Sequence, residues 1–223
     1  MQSLSRFLRL LEEGPPGCTH VFNPWRDTDD RDASPRREMP AHRLDNLEAY
    51  VGARLESARV VLVGEAPSHR GCRFTGIAFC SETELVHKAD LVAHRSLTLT
   101  SRDAKVKPQR ERSAAVIWDE MARAGCAHQV VLWNAFPWHP HGAEGVATNR
   151  RPRNTEVAHG REPLAALLGC FMHPLTIYAV GKVAEEAIGR WDEVRCAGYI
   201  RHPAQGGETR FREGFRQLVA GRL

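Results

Sequence analysis

The sequence lacks four features that would assign it to a specialised class of protein. Its six cysteines form no Cys-x-x-Cys pair, which argues against a zinc ribbon or a disulfide framework. It has no internal repeat and no long apolar run, and its start, "MQSLSRFLRLLEEG", lacks the apolar centre and cleavage site of a signal peptide. We therefore expect an intracellular protein with reduced cysteines.

Length and composition predict one domain. A chain of 223 residues with 42% hydrophobic residues is large enough to bury a core. The formal net charge of +4 is compatible with a polyanionic partner. A charge this small is more often an ordinary solvated surface, so charge alone does not identify the partner.

The hydrophobic pattern predicts an α/β fold. Short apolar runs rich in β-branched residues predict strands at residues 59–63, 129–133, 175–180 and 194–200. Helical patterns lie at residues 81–93, 112–124, 156–168, 182–188 and 208–220, and Ser81 and Glu84 are spaced as a capping box. Strands that alternate with helices predict a three-layer α/β/α sandwich around a parallel sheet of four strands.

The N-terminal quarter differs from the rest. Apolar residues at helical spacing predict two helices before the first strand, with the polar segment "NPWRDTDDRDASPRREMPAHR" between them. We expect a single domain over residues 1–223, with a helical and loop extension at about 1–57. The polar segment either supports the core as scaffold or brings its aspartates near the functional site, namely Asp27, Asp29, Asp30 and Asp32.

The loops that follow the predicted strands are the candidate site, because open parallel sheets bind ligands beyond the carboxyl ends of their strands. These loops read "GEAPSHRGCRFTG", "NAFPWHPH", "GKVAEEA" and "RHPAQGG". Each motif alone is more often structural than functional. Their occurrence together at one rim of a sheet indicates a binding or catalytic site.

Together these loops resemble those of the uracil-DNA glycosylase superfamily, from about residue 59 to residue 215. "GEAPSH" is similar to the Gly-Gln-Asp-Pro-Tyr-His block of its best-known branch and to the Gly-Glu-Ala-Pro-Gly block of its iron–sulfur branch. "LWNA" and "HPAQGG" resemble its Leu-Asn-Ala and His-Pro-Ser blocks, and "GCRFTG" resembles the region that places an aromatic ring against the base. The resemblance implies an α/β/α sandwich with four parallel strands.

The resemblance also implies a pocket for an extruded base. Phe74 is expected to stack on the base. The amide of Asn134 is expected to hydrogen-bond with O4 and N3–H of uracil, which cytosine presents in the reversed pattern. His202 is expected to donate a hydrogen bond to O2 as negative charge develops on the departing base.

The first loop departs from the best-known branch at a catalytic position. There an aspartate supports the sugar cation and the attacking water, but this chain has Ala66. Glu65, His69 or a water held by backbone carbonyls is left to position the nucleophile. The rest of the loop is expected to line the pocket with Gly64, Ala66, Pro67 and Ser68. The backbone amides of Glu65, Ala66 and Ser68 are expected to bind the base or an adjacent phosphate.

Three further departures concern selectivity and base flipping. Ser68 stands at the position of the tyrosine that blocks the methyl group of thymine, so we expect looser exclusion of thymine. Ala204 removes a phosphate contact, and Gly206 removes the leucine wedge. Flipping then depends on another residue, or the substrate is single-stranded or already distorted.

Residues that flank the matched loops are expected to contact the DNA backbone. They are Arg70, Arg73, Arg201, Pro203, Gln205, Gly206 and Arg210.

In "PWHPH", a metal site at His139 and His141 is less favoured than a loop that contacts nucleic acid, because no carboxylate or cysteine is spaced with them. The cysteine spacing also fits no iron–sulfur cluster, so we expect no metal and no cofactor.

The function that these features favour is a monofunctional uracil-DNA glycosylase, a hydrolase of N-glycosyl bonds that flips its target base. Its partner would be DNA containing uracil or another deaminated base, and we expect a monomer without membrane contact, in a bacterial-type cytoplasm at the nucleoid. One alternative is a non-catalytic or slowly turning-over binder of uracil-containing DNA. Another is an α/β-hydrolase-like enzyme that acts on a small nucleoside with His202 as its base.

Overall fold

The computed structural model describes residues 2–222 as an alternation of strands and helices. In chain order the elements are α1 (Gln2–Glu13), β1 (Val21–Phe22), α2 (Met39–Gly52), β2 (Val60–Gly64), α3 (Cys72–Thr75), α4 (Glu82–His87), α5 (Ala89–Ala93), α6 (Arg112–Ala124), β3 (Val130–Asn134), β4 (His139–Pro140), α7 (Asn154–Val157), α8 (Arg161–Leu168), β5 (Thr176–Val180), α9 (Lys182–Ile188), β6 (Cys196–Ile200) and α10 (Glu208–Arg222). Short 3₁₀ turns lie at Arg36–Glu38 and Ala158–Gly160.

The predicted parallel sheet is confirmed. Its strand order is β3-β2-β5-β6, and each neighbouring pair is parallel. The central strand β2 and its neighbour β3 are buried along their whole length, as expected for strands covered on both faces. Their register places Gly64 opposite Asn134, so the loops after these two strands begin side by side.

Two predicted helices are interrupted. The capping box is present, because the Ser81 amide donates to Glu84 Oε2 over 2.9 Å, but the helix breaks at Lys88 into α4 and α5. The pattern over residues 156–168 divides into α7, a 3₁₀ turn and α8. Pro163 explains the second division, since proline has no amide hydrogen and is accommodated in the first turn of a helix. Among residues 2–222, no helix combines the length and the apolarity that a membrane crossing needs.

The N-terminal extension is packed into the domain. Phe7, Leu11 and Trp25 belong to the same buried cluster as the central strands. Strand β1 pairs antiparallel with β4 in a small second sheet that the sequence patterns did not predict. The Trp138 indole also donates to the Leu11 carbonyl over 3.0 Å. These contacts fix the loop after β3 against the N-terminal residues.

The aspartates of the extension form scaffold contacts. The side chains of Asp32, Arg43 and Arg73 are fully buried. Asp32 Oδ1 accepts from Arg73 over 2.8 Å and Oδ2 accepts from Arg43 over 3.2 Å. Asp29 also pairs with Arg73. The alternative in which these aspartates approach the functional site is therefore wrong for Asp29 and Asp32, whose carboxylates are bound to arginines.

Candidate active site

A cavity of about 520 Å³ lies at the carboxyl ends of β2 and β3. It is lined by the loop after β2, the residues before and at the start of α6, the end of β3 and the loop after β6. Its walls include Glu65, Ala66, Pro67, Ser68, His69, Phe79, Glu111, Asn134, Asn149, His202 and Ala204. The structure thus brings three of the four predicted loops into one pocket.

Asn134 is buried in this pocket with an unused amide. The residue is 3% exposed, and no hydrogen bond to its side chain occurs among residues 2–222. Buried amides are normally paired, because a buried donor or acceptor without a partner costs roughly 1–3 kcal/mol. An unpaired amide that lines a cavity is therefore available to a ligand with complementary donors and acceptors.

The aromatic wall of the pocket is Phe79, and the expectation for Phe74 is wrong. Phe74 is 1% exposed and lies outside the pocket lining, with the Arg73 guanidinium 4.0 Å from its ring centroid. Phe79 lines the pocket, and its ring centroid lies 5.9 Å from that of His202. Phe74 lies within the matched "GCRFTG" block, whereas Phe79 lies three residues beyond it, so no sequence signal marked Phe79 as the stacking residue.

Gly64 is required by the position of this ring. A Cβ at residue 64 would lie 2.2 Å from the Phe79 ring and 3.1 Å from Asn134 Oδ1. Phe79 also has φ of 49°, in the left-handed region that non-glycine residues rarely adopt. Strain of this kind costs about 1–3 kcal/mol and concentrates at functional sites. The backbone is thus held in an unfavourable conformation that places an aromatic face beside Asn134.

His202 is a neutral hydrogen-bond donor in this site. Burial and the neighbouring Arg201 lower its pKa to about 4. The Ala204 amide donates to His202 Nδ1 over 3.1 Å, which places the ring proton on Nε2. No described residue accepts a hydrogen bond from Nε2. His202 can therefore donate to a ligand oxygen without carrying a charge.

The loop after β2 presents free backbone amides to the pocket. No acceptor for the amides of Ala66 and Ser68 occurs among residues 2–222, while the carbonyl of Pro67 lies 2.9 Å from His139 Nδ1. Glu65 also lines the pocket, and burial raises the pKa of its carboxyl although Arg151 partly offsets this. The loop therefore offers both amide donors and a carboxyl group.

His69 lines the pocket, but both of its ring nitrogens are engaged. Nδ1 donates a hydrogen bond to Asn149 Oδ1 over 3.1 Å, and Nε2 accepts one from Arg70 Nε over 3.2 Å. Burial is the largest cause that lowers the pKa of the ring. Of the two candidates for positioning water, Glu65 is the one whose side chain has no hydrogen-bond partner among the described residues.

Glu111 is a pocket residue that the sequence analysis missed. It immediately precedes α6 and lines the cavity, where its Oε2 accepts from Ser68 Oγ over 2.8 Å. Burial raises the pKa of its carboxyl to about 7, with a further contribution from Glu84 that the Ser68 hydrogen bond opposes. No motif marks this glutamate, because only the tertiary fold brings it to the first loop.

The expected DNA-backbone residues separate into two groups. Arg73 is wrong as a phosphate contact, because its side chain is fully buried between Asp32 and Asp29. Arg70 and Arg210 are exposed, and Arg201 is half-buried beside the pocket. Arginines that the sequence analysis overlooked also line the cavity, at Arg110, Arg112, Arg150 and Arg151.

The loop after β6 ends in an exposed tip. Gln205 and Gly206 are both exposed, with φ of 52° and 72°. Pro203 is buried, and Ala204 and Gln205 line a second cavity of about 410 Å³ that shares Glu65 and His202 with the first. Gln205 is therefore a long side chain at the tip, one residue before the glycine that occupies the wedge position.

The "PWHPH" loop supports the site from behind. Trp138 is 2% exposed and His139 is fully buried, so neither side chain is available to contact nucleic acid, whereas His141 of the same loop is half-buried. His139 Nε2 lies 3.0 Å from the Val146 carbonyl and Nδ1 lies 2.9 Å from the Pro67 carbonyl, so the ring lies between these two loops. Within residues 2–222, no three histidine, cysteine or acidic side chains are grouped so that they could hold a metal ion.

Comparisons with known proteins agree with this geometry. The family model described as "Uracil DNA glycosylase superfamily" matches residues 53–218. Among solved structures, wild-type SMUG2 of Pedobacter heparinus is similar, with a TM-score of 0.62 and 14% sequence identity over 98% of both chains. At this identity the likeness establishes the fold. No match was found among curated proteins.

Proposed function

The chain belongs to the uracil DNA glycosylase superfamily, and on this premise we propose that it hydrolyses the N-glycosidic bond of uracil, or of a related deaminated base, in DNA. The coarser role, a DNA glycosylase, follows from the family. The finer assignment is supported by one observation above all: the buried, unpaired amide of Asn134 lies in the same pocket as the Phe79 ring. An extruded pyrimidine needs a flat stacking surface and a paired donor and acceptor.

In the proposed reaction the bond between C1′ and the base nitrogen breaks, and its electron pair leaves with the base. The neutral Nε2–H of His202 donates to the base oxygen on which the charge accumulates. A water molecule that Glu65 orients from the first loop then bonds to C1′ and releases a proton to solvent. The departed base anion takes up one proton, so that the products are a neutral base and an abasic sugar. The amides of Ala66 and Ser68 bind the base or an adjacent phosphate.

The DNA backbone would follow the basic rim of the pocket. Arg70, Arg201 and Arg210 are the candidates retained from the sequence, and Arg110 joins them from the lining. Gln205 is our candidate for the side chain that enters the vacated stack. We propose that the protein acts as a monomer, in the compartment that holds the DNA.

A second candidate function is a binder of uracil-containing DNA that turns over slowly or not at all. Ala66 and Gly206 favour this alternative, because neither supplies the carboxylate or the wedge found in the best-known branch. The exposed tip at Gly206 also has no large apolar side chain that could fill the stack. Cleavage and binding must therefore be measured on the same substrate.

The proposed function is tested by single-turnover cleavage of one labelled oligonucleotide that carries uracil, presented single-stranded, opposite guanine and opposite adenine. Hypoxanthine and a thymine mismatch serve as comparison bases, and alkali converts each abasic site into a strand break. We expect cleavage at uracil and none at undamaged cytosine. Tight uracil-dependent binding without cleavage would favour the second candidate function, a binder of uracil-containing DNA. Cleavage of free deoxyuridine but not of the oligonucleotide would favour a nucleoside hydrolase.

Replacement of His202 by alanine is expected to lower single-turnover release of uracil by at least roughly tenfold, the loss of about one transition-state hydrogen bond. Because the pKa of His202 is about 4, its contribution should be constant above about pH 5. It should decline as pH falls through about 4, where protonation of Nδ1 breaks the bond from the Ala204 amide.

His173 provides the matched control for this substitution, since it is an exposed histidine that also precedes a proline. His173→Ala should leave the rate unchanged. Wild-type cleavage by the His202→Ala variant would remove His202 from the site.

A further inference from the structure

Glu111 occupies an unusual position for a carboxyl group. It lines the pocket beside the first loop, and its side chain forms no ion pair among the described residues. Gly71 makes this position accessible, because a Cβ at residue 71 would lie only 1.8 Å from Glu111 Oε2. A buried carboxyl without a cation is costly, and such groups concentrate at functional sites.

The hydrogen bonds around Glu111 fix which of its oxygens is free. Ser68 Oγ accepts from the Gly71 amide over 3.1 Å, and donates its only proton to Glu111 Oε2 over 2.8 Å. The Glu111 amide is held by Ser81 Oγ over 3.1 Å. No described residue bonds to Oε1. The carboxyl is therefore held at one oxygen by Ser68, and its other oxygen remains available to a ligand in the cavity.

The charged and titratable groups around Glu111 favour its neutral form. Glu84 of α4 opposes its ionisation, and burial is the largest cause that raises its pKa to about 7. Cys72 of α3 is itself buried with a raised pKa, so its thiol is neutral. Arg110 and Arg112 are its chain neighbours, and Arg112 is exposed and directed to Glu208. Near neutral pH a large fraction of Glu111 thus carries a proton, and Oε1 is where that proton can act as a donor.

We propose that Glu111 is a base-contacting residue of this glycosylase site, whose free carboxyl oxygen donates a hydrogen bond to a carbonyl oxygen of the extruded base. This inference rests on the proposed function. Deamination replaces an exocyclic amine by a carbonyl oxygen, in uracil as in hypoxanthine. A donor at this wall pairs with the carbonyl of a deaminated base and opposes the amine of cytosine or adenine, so Ser68 and Glu111 would add to the selectivity of Asn134.

Hydrogen-bond donation by Glu111 requires the protonated carboxyl, which gives the inference a distinctive pH dependence. Release of uracil should be highest below about pH 7 and should fall as pH rises through the pKa of Glu111. Glutamine has nearly the same shape and carries an N–H donor at every pH. The Glu111→Gln variant should therefore retain cleavage at pH 6 and should lose the fall at alkaline pH.

The experiment measures single-turnover cleavage and equilibrium binding of a uracil oligonucleotide from pH 5.5 to pH 9, for wild type, Glu111→Gln and Glu111→Ala. We expect at least roughly tenfold slower cleavage by Glu111→Ala at pH 6, the loss of one donor. Glu48→Gln, at an exposed glutamate of α2, is the matched control and should keep the wild-type profile. Ser68→Ala should weaken cleavage less than Glu111→Ala, since it only releases the carboxyl from its fixed orientation.

The outcomes separate this inference from the proposed function. If wild type cleaves uracil but Glu111→Gln is inactive at every pH, or keeps the wild-type fall at alkaline pH, Glu111 is not the donor and the inference is overturned. If wild type only binds uracil-containing DNA, the same pH dependence is read from its affinity. If wild type neither cleaves nor selectively binds uracil, the proposed function itself fails.

Thermal unfolding of the Glu111 variants shows whether a loss of cleavage is caused by a loss of folding stability. The pKa of Glu111 is about 7 in the folded state and 4.5 ordinarily, so the fold loses stability as pH rises from about 4.5 to about 7, and this loss is complete above about pH 7. Glu111→Gln should therefore unfold at a higher temperature than wild type at pH 8, and at nearly the same temperature at pH 5. A variant that cleaves poorly while unfolding early at both pH values would count against a role at the base.

Discussion

Replacement of Asn134 by alanine should slow single-turnover release of uracil by at least roughly tenfold, equivalent to about 1.4 kcal/mol or more of transition-state stabilisation. The amide offers a donor and an acceptor together within the pocket. It is 3% exposed and bonds to no described residue, so its hydrogen-bonding capacity is available to the base. The measurement is cleavage of the same labelled uracil oligonucleotide under enzyme excess.

Thermal unfolding of the same variant distinguishes a functional from a structural asparagine. Because the Asn134 amide stabilises nothing within the described residues, Asn134→Ala should leave the unfolding temperature unchanged or slightly raised. Asn154→Ala is a matched control at an exposed asparagine of α7, outside the pocket lining. A variant that unfolds early, or one that cleaves at the wild-type rate, would contradict the assignment of Asn134 as the base-reading residue.

The elements that could be predicted are those whose signals are local in sequence. The pattern over residues 112–124 predicts the observed helix because its apolar residues recur at helical spacing and Gly125 follows with φ of 66°. The four strands were predictable from short apolar runs. The breaks at Lys88 and within residues 156–168 were missed, because a periodic pattern continues across a short interruption.

The pocket was predictable at strand ends and unpredictable elsewhere. Asn134 and His202 follow strands, and the rule for parallel sheets places both at one rim. Phe74 and Phe79 could not be separated by sequence, since which ring faces the cavity depends on how Gly64 and Arg73 pack. Arg73 lies in a matched loop, so its sequence position suggested a phosphate contact. The fold instead pairs it with the buried carboxylate of Asp32.

Carboxyl groups illustrate the same limit. The sequence shows directly that residue 66 is not a carboxylate, and it offers the neighbouring Glu65 as a group that could position the attacking water instead. Glu111 was not visible, because 43 residues separate it from Ser68. Only packing of the start of α6 against the first loop brings them together. Comparison of local motifs therefore cannot detect a carboxyl group that a distant segment of the chain contributes to the site.

The second large effect is expected at the scaffold, where Asp32→Asn should lower the free energy of unfolding by about 3–5 kcal/mol. The variant keeps the shape of the side chain but removes the negative charge between Arg43 and Arg73, whose side chains are fully buried. Burial already lowers the pKa of Arg43 to about 10, and Asp32 is the largest influence that opposes this shift. Removing that carboxylate leaves two buried cations, and among the described residues Asp29 is then the one carboxylate that forms an ion pair with either of them.

Urea unfolding at fixed pH, analysed by linear extrapolation, measures this loss. Asp30→Asn is the matched control, at an exposed aspartate of the same segment, and should change the free energy by less than about 0.5 kcal/mol. Since Asp32 lies outside the pocket lining, the fraction of Asp32→Asn that remains folded should cleave uracil at the wild-type rate. A variant with unchanged stability and lost cleavage would contradict the structural role of Asp32. It would show that the Asp32 carboxylate takes part in the reaction and that the two buried arginines do not need it for folding.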